Sequence, residues 1–193
     1  MRDLGIKHLV GFYGATFFVA FAFLIARGHL ETLLPEPQLL TWVLHASYGL
    51  GVGIVIVGLS RLSTARFAWA MHLADEFRSV LSGVERRGVL IVALTSALAE
   101  ESLFRGLLQP SLGLWLTAAI FAVLHVGPTP RFLPWTIMAF GAGLLFGGLF
   151  DFTGNLLAPF LAHATVNYLN LRYLVPESRR DLHMGTLRGF AGL

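Results

Sequence analysis

The run Ala99-Glu100-Glu101-Ser102-Leu103-Phe104-Arg105-Gly106 constrains everything else in this chain. It places two adjacent carboxylates and a guanidinium inside a segment otherwise apolar enough to enter a lipid bilayer. A charged side chain near the bilayer centre costs at least about 2.5 to 3.5 kcal/mol on insertion scales, so such groups face a protein interior or a wet cavity. There they pair or do chemistry. The remaining sequence reads as the scaffold that makes this cluster tolerable. Apolar residues make up 55% of the 193 and charged ones only 13%. A soluble domain carries about 25% charged residues. Half of that cannot cover a water-facing surface, and the expected fold is a polytopic all-α membrane helical bundle.

Six apolar runs can cross a hydrocarbon layer of roughly 30 Å, the shorter ones with help from their flanks. They cover about 8–26, 39–59, 88–108, 112–126, 135–150 and 156–174. The first is longer than the core of a cleaved signal peptide and lacks a small-residue exit, so it is expected to be retained. Gly49, Gly51 and Gly53, and again Gly143 and Gly147, have the small-residue spacing that lets helices approach closely. Between the second and third runs, Phe67, Trp69, Ala70, Leu73, Phe77, Val80 and Leu81 recur at helical spacing against Arg66, Asp75, Glu76 and Arg78. That pattern predicts an amphipathic helix over about 64–82, lying at the membrane interface or packed against the bundle on the cytoplasmic side. One membrane-embedded domain, 1–193, is expected, with a core at about 88–174 that carries the chemistry and a loose polar tail at about 176–193. With the N-terminus inside, twelve of the fourteen basic residues fall on the inner side, which predicts both termini in the cytoplasm. The basic residues are scattered through short loops, so no nucleic-acid partner is expected. The lipid bilayer is the expected surroundings, and the sequence carries no signal for oligomeric state. The absence of cysteine excludes disulfides and thiolate metal sites.

The ionisable side chains well inside the spans are few: Glu100, Glu101, Arg105, His125 and His163, with His45 nearer one end. At 1.5 Å per residue, Glu100 lies about 18 Å into the third span and His163 about 10 Å into the sixth. His125 is close to the inner end of the fourth, so all can line one cavity in the middle-to-inner half. Glu100 and Glu101 are about 100° apart on the helix and cannot serve the same purpose. Glu101 and Arg105, at i and i+4, suit an internal ion pair. Glu100 then faces the cavity as a candidate general base or acid. A histidine from another helix can help activate a water. A second histidine and an amide at helical spacing, as in His163 and Asn167, can hold the oxygen of a tetrahedral intermediate. Together these parts suffice for peptide hydrolysis. Phe104 and Phe121 are read as cavity walls and His45 as packing. His8, His29, His72 and His183 have no assigned role. Asp151 and Asn155 are expected to cap the last helix.

Three motifs occur in order, each on its own span: Glu100-Glu101-Ser-Leu-Phe-Arg105, Phe121-Ala-Val-Leu-His125 and His163-Ala-Thr-Val-Asn167. Together they resemble the CPBP family, also called ABI, which includes the type II CAAX prenyl endopeptidases, the Ras-converting enzymes among them, and bacterial relatives. The resemblance covers about 93–171. It implies a glutamate-type intramembrane protease of the bacterial inner membrane, acting on a membrane-anchored protein or peptide near the membrane face. Glu100 and His125 would activate the hydrolytic water, His163 and Asn167 would stabilise the oxyanion, and Glu101 and Arg105 would support the site. No cofactor is expected on this reading. The alternative is a zinc enzyme in which Glu100, His125 and His163 are the ligands around an open position. The other classes are a polar-lined permease and a non-catalytic membrane immunity or scaffold protein of the same fold. Glu100→Ala separates them, because a protease loses turnover while a scaffold keeps its phenotype.

Overall fold

The computed structural model describes residues 6–175, and among them every regular element is helical. Helix α1 is Ile6–Arg27, α2 Leu39–Arg66, α3 Ala68–Val80, α4 Val89–Glu101, α5 Gln109–Leu124, α6 Leu133–Thr153 and α7 Leu157–Leu174, with a π-helical segment, Ser102–Leu108, joining α4 to α5. The tail at 176–193, with His183, lies outside the described residues. Four helical stretches are long and apolar enough to cross a membrane: Ile6–Arg27, Leu39–Arg66, Arg86–Leu124 and Pro130–Thr153. The third of these holds two of the six sequence runs, and α7 falls outside the set.

That third stretch is not one rod. Phe104 and Phe121 meet with ring centroids 4.9 Å apart, whereas seventeen residues of straight helix would separate them by about 25 Å. The chain doubles back at Gly113, whose backbone sits at φ 76° and ψ 167°. Side chains with a Cβ rarely adopt such a conformation. Pro110, between the third and fourth apolar runs, does not end the helix: it lies at the start of α5, directly after the π-helical segment. The reversal comes three residues later.

Close contacts fix the directions of the other helices. Ile6 packs on Gly88 and Leu24 on Gly106, so α1 runs parallel to α4. Gly49 lies on the Ala158 backbone and Gly53 on Ala162 and Thr165, so α2 runs parallel to α7. Any side chain at Gly49 would overlap the Ala158 carbonyl, and this is the close approach that the glycine spacing anticipates. Farther along the same seam, Arg61 donates to the Leu169 carbonyl (2.8 Å) and to Asn170 Oδ1 (2.9 Å). Gly143 faces Ala118 and Gly147 faces Leu114, which makes α5 and α6 antiparallel.

The bundle is apolar on the outside and small or polar within. Its buried residues include Ala93, Ala97, Ala99, Ala118, Ala162, Glu101, Arg105 and Gln109, while Phe12, Phe18, Leu39, Trp115 and Phe152 are all more than 60% exposed. Membrane helices have this distribution because lipid solvates large apolar side chains while small ones allow close packing. Helix α2 runs seven residues past the expected end of its span. Helix α3 follows after a break at Phe67, whose backbone is extended. Ala70 and Leu73 of α3 are buried, while Phe67, Trp69 and Val80, which the helical spacing grouped with them, are exposed. Phe77 packs edge-on against Phe132 and Trp135, both at 5.1 Å. Arg131 donates to Glu76 at 2.6 Å. These contacts fasten α3 to the α5–α6 turn, beside His125.

Candidate active site

Glu100 and Glu101 leave α4 in different directions, and their partners separate them. Glu101 is fully buried and accepts from Arg105 Nη1 at 3.2 Å. Arg105, also fully buried, donates its other terminal nitrogen to the Gly143 carbonyl at 3.0 Å. One helical turn later Gln109 repeats the contact, donating to the Gly147 carbonyl at 3.0 Å and to Asp151 at 2.7 Å. Arg105 lies within the π-helical segment and Gln109 directly after it, and the two glycines leave α6 carbonyls open to side-chain donors. The guanidinium is also surrounded by the rings of Phe121 (5.0 Å), Phe146 (5.7 Å) and Phe104 (5.8 Å). Cation–π attraction stabilises it there. Asp151 thus serves Gln109 and does not cap α7, whereas Asn155 Oδ1 accepts from the Leu157 N–H at 3.2 Å. Asn155 also donates to His45 Nδ1 at 2.9 Å, a packing contact remote in sequence from the three motifs.

Two imidazoles converge on Glu100. Its Oε2 lies 3.7 Å from His125 Nε2 and 3.8 Å from His163 Nε2. Their other nitrogens are engaged elsewhere. His125 Nδ1 is 2.7 Å from the Phe121 carbonyl, and His163 Nδ1 is 2.7 Å from Glu101 Oε1. A carbonyl and a carboxylate only accept, so each Nδ1 carries the hydrogen, and a ring with no second hydrogen turns a bare Nε2 towards Glu100. Three acceptor atoms therefore face one point, and the Glu100 oxygen among them is buried without a hydrogen-bond partner. Whatever sits there must bring hydrogens or positive charge. Separations of 3.7 to 3.8 Å are too long for direct hydrogen bonds and suit a shared water.

The rings are held by packing. His163 stacks on Phe146 at 5.0 Å, and His125 lies between Phe121 (4.2 Å) and Trp135 (5.3 Å). Phe104 and Phe121 are both buried and meet edge to face. Asn167 lies one turn after His163 and donates to Ser96 Oγ at 3.0 Å, which leaves its second amide hydrogen available. Thus Glu100, His125 and His163 come together, Glu101 and Arg105 lie behind His163, and Asn167 stands to one side on a tether to α4. The motifs gave no sign of Ser96, Phe146 or Trp135. The donor types of Glu100, His125 and His163 would also suit zinc, with Glu101 and the Phe121 carbonyl as outer partners. Their spacing is wider, and among the described residues no three His, Cys, Asp or Glu side chains close around a point that could hold a metal ion.

Two comparisons bear on this arrangement. The sequence profile of a family described as type II CAAX prenyl endopeptidase Rce1-like matches residues 86–169, a span that contains all three motifs. A Bacillus subtilis (strain 168) relative, described as uncharacterized protein YpbD, is 30% identical over 142 residues, covering 70% of this chain and 72% of the relative. No solved structure matches.

Proposed function

This chain belongs to the Rce1-like family of type II CAAX prenyl endopeptidases, and from that premise we propose that it is an intramembrane endopeptidase that hydrolyses a peptide bond of a membrane-anchored protein or peptide near the membrane face. The observation that carries the proposal is the convergence of Glu100 Oε2 with the Nε2 atoms of His125 and His163. A water seated among them donates hydrogens to two acceptors and keeps a lone pair for attack. Glu100 takes one proton as the water oxygen bonds to the scissile carbonyl carbon. The carbonyl oxygen then carries the negative charge. His163, which has taken a proton from solvent onto Nε2 before the reaction and keeps it throughout, is backed by Glu101 and stabilises that charge together with the second amide hydrogen of Asn167. When the carbon–nitrogen bond breaks, the proton on Glu100 passes to the departing amine, and the carboxylate returns to its starting state. In this reading His125 orients the water, and no metal takes part.

The basic residues support a site reached from the cytoplasmic half of a bacterial inner membrane, with both termini on that side. The test is membrane proteomics on cells producing either the wild-type chain or Glu100→Ala at matched levels. The expected result is at least one membrane-attached precursor that accumulates uncut in the variant. Identical membrane proteomes, with both proteins folded, would overturn the hydrolytic reading and favour a non-catalytic role.

A further inference from the structure

Helices α4 and α7 meet in a register that the three motifs do not reveal. Glu100 Oε2 lies 3.8 Å from His163 Nε2. One turn back on α4, Ser96 Oγ accepts from Asn167 Nδ2, one turn further along α7, at 3.0 Å. The two helices therefore run antiparallel, with Ser96 and Glu100 on one face of α4 opposite Asn167 and His163 on one face of α7. Ser96 belongs to no motif, yet it is only 3% exposed. Its hydroxyl hydrogen goes to the Ala93 carbonyl of its own helix at 3.3 Å, so its oxygen turns lone pairs towards α7.

That direction matters because a carboxamide has two unlike ends. Half a turn of the terminal Asn167 torsion exchanges N–H groups for a carbonyl oxygen, and that torsion is broad and roughly two-fold. The N–H end stabilises a developing oxyanion, and the oxygen end repels it. A lone pair at Ser96 Oγ satisfies only the N–H end. We propose that Ser96 is a positioning residue, whose oxygen selects the orientation of the Asn167 carboxamide that keeps the second amide hydrogen free for the oxyanion. This role rests on the hydrolytic reading of Glu100 above. It deepens that reading by one side chain, which acts on the reaction only through Asn167.

The experiment has two arms. In the first, thermal unfolding of purified full-length protein in detergent micelles follows the cycle wild type, Ser96→Ala, Asn167→Ala and the double variant. Alanine is the better helix former, so Ser96→Ala keeps α4 intact. The expected result is coupling: Ser96→Ala lowers Tm by about 2 to 4 °C when Asn167 is present and by less than about 1 °C when it is not. Additive shifts would overturn the contact. In the second arm, the same four proteins in proteoliposomes cleave an internally quenched peptide ending in a farnesylated CAAX sequence. Ser96→Ala is expected to lower kcat about ten- to fiftyfold with KM unchanged, against about a hundred- to thousandfold for Asn167→Ala. Added to Asn167→Ala, Ser96→Ala should cost no further turnover. A role in packing alone would lower kcat equally in both backgrounds, and that result, an unchanged kcat or a loss entirely in KM would overturn the positioning role. Full turnover by Glu100→Ala would instead sink the hydrolytic reading, and the thermal cycle would still decide whether the hydroxyl and the amide are joined.

Discussion

Arg105 shows how a full charge is kept in the middle of this bundle. Its partners are Glu101, a backbone carbonyl of α6 and three phenylalanine rings, and removing it would leave the Glu101 carboxylate buried with only His163 to answer it. Breaking a buried pair from one side costs about 3 to 5 kcal/mol. Arg105→Ala is therefore expected to fail to accumulate, or to unfold far below wild type when followed by thermal denaturation in detergent, whereas Glu100→Gln should leave stability close to wild type. The metal question belongs to the same scale. Activity should survive exhaustive chelation with verified metal content, and full loss restored by added zinc would replace the shared water with a metal-bound one. The three motifs made most of these residues legible, because a charge or an imidazole inside an apolar run has few innocent explanations. Ser96 was not legible. A serine in a membrane helix is ordinary, and only the packing of α4 against α7 shows that it meets Asn167.

Among the elements, the segment from Gly88 to Leu124 departs furthest from its sequence pattern. Hydropathy shows two apolar runs with Pro110 between them, which suggests a helix, a proline stop and a second helix. In the structure the helix continues through Ser102–Leu108 with π geometry, passes Pro110 and reverses at Gly113. Hydropathy is blind to both features. A π segment changes which face a residue occupies without changing composition, and a reversal needs only one residue able to take a positive φ. The cost of occupying such a backbone region without glycine is about 1 to 3 kcal/mol. Gly113→Ala is accordingly expected to lower stability by that amount in thermal or denaturant unfolding. If the reversal strains, the contact between Phe104 and Phe121 would loosen and carry His125 away from Glu100. Glycine spacing was a better guide on α2, where Gly49 and Gly53 mark the seam with α7.

For the whole molecule, the order of directions found in the helix contacts matches an up-and-down bundle with α1 and α4 entering from one side and α2 and α7 from the other. Combined with the basic residues at Arg61, Arg66, Arg78, Arg86, Arg87 and Arg131, it gives a checkable orientation. Reporters fused to the N- and C-termini should both read as cytoplasmic, and a reporter inserted near Gly154 should read as external. Composition made the membrane class legible at once, since a chain this poor in charge has no other way to satisfy its surface. The number of crossings was less legible. Helix α7 carries His163, Asn167, Asn170 and Arg172, so the functional face dilutes the apolar signal that would mark it as a span.

Helix α1 rests mainly on α4 and on the π-helical segment that follows, and a connector with one short 3-10 turn, Leu30–Thr32, leads from it to α2. The remaining helices close around one another without its help. A gene split within that connector should thus yield two polypeptides that reassemble in the bilayer. The smaller piece would then act as a detachable subunit that docks on the helix bearing the reactive carboxylate.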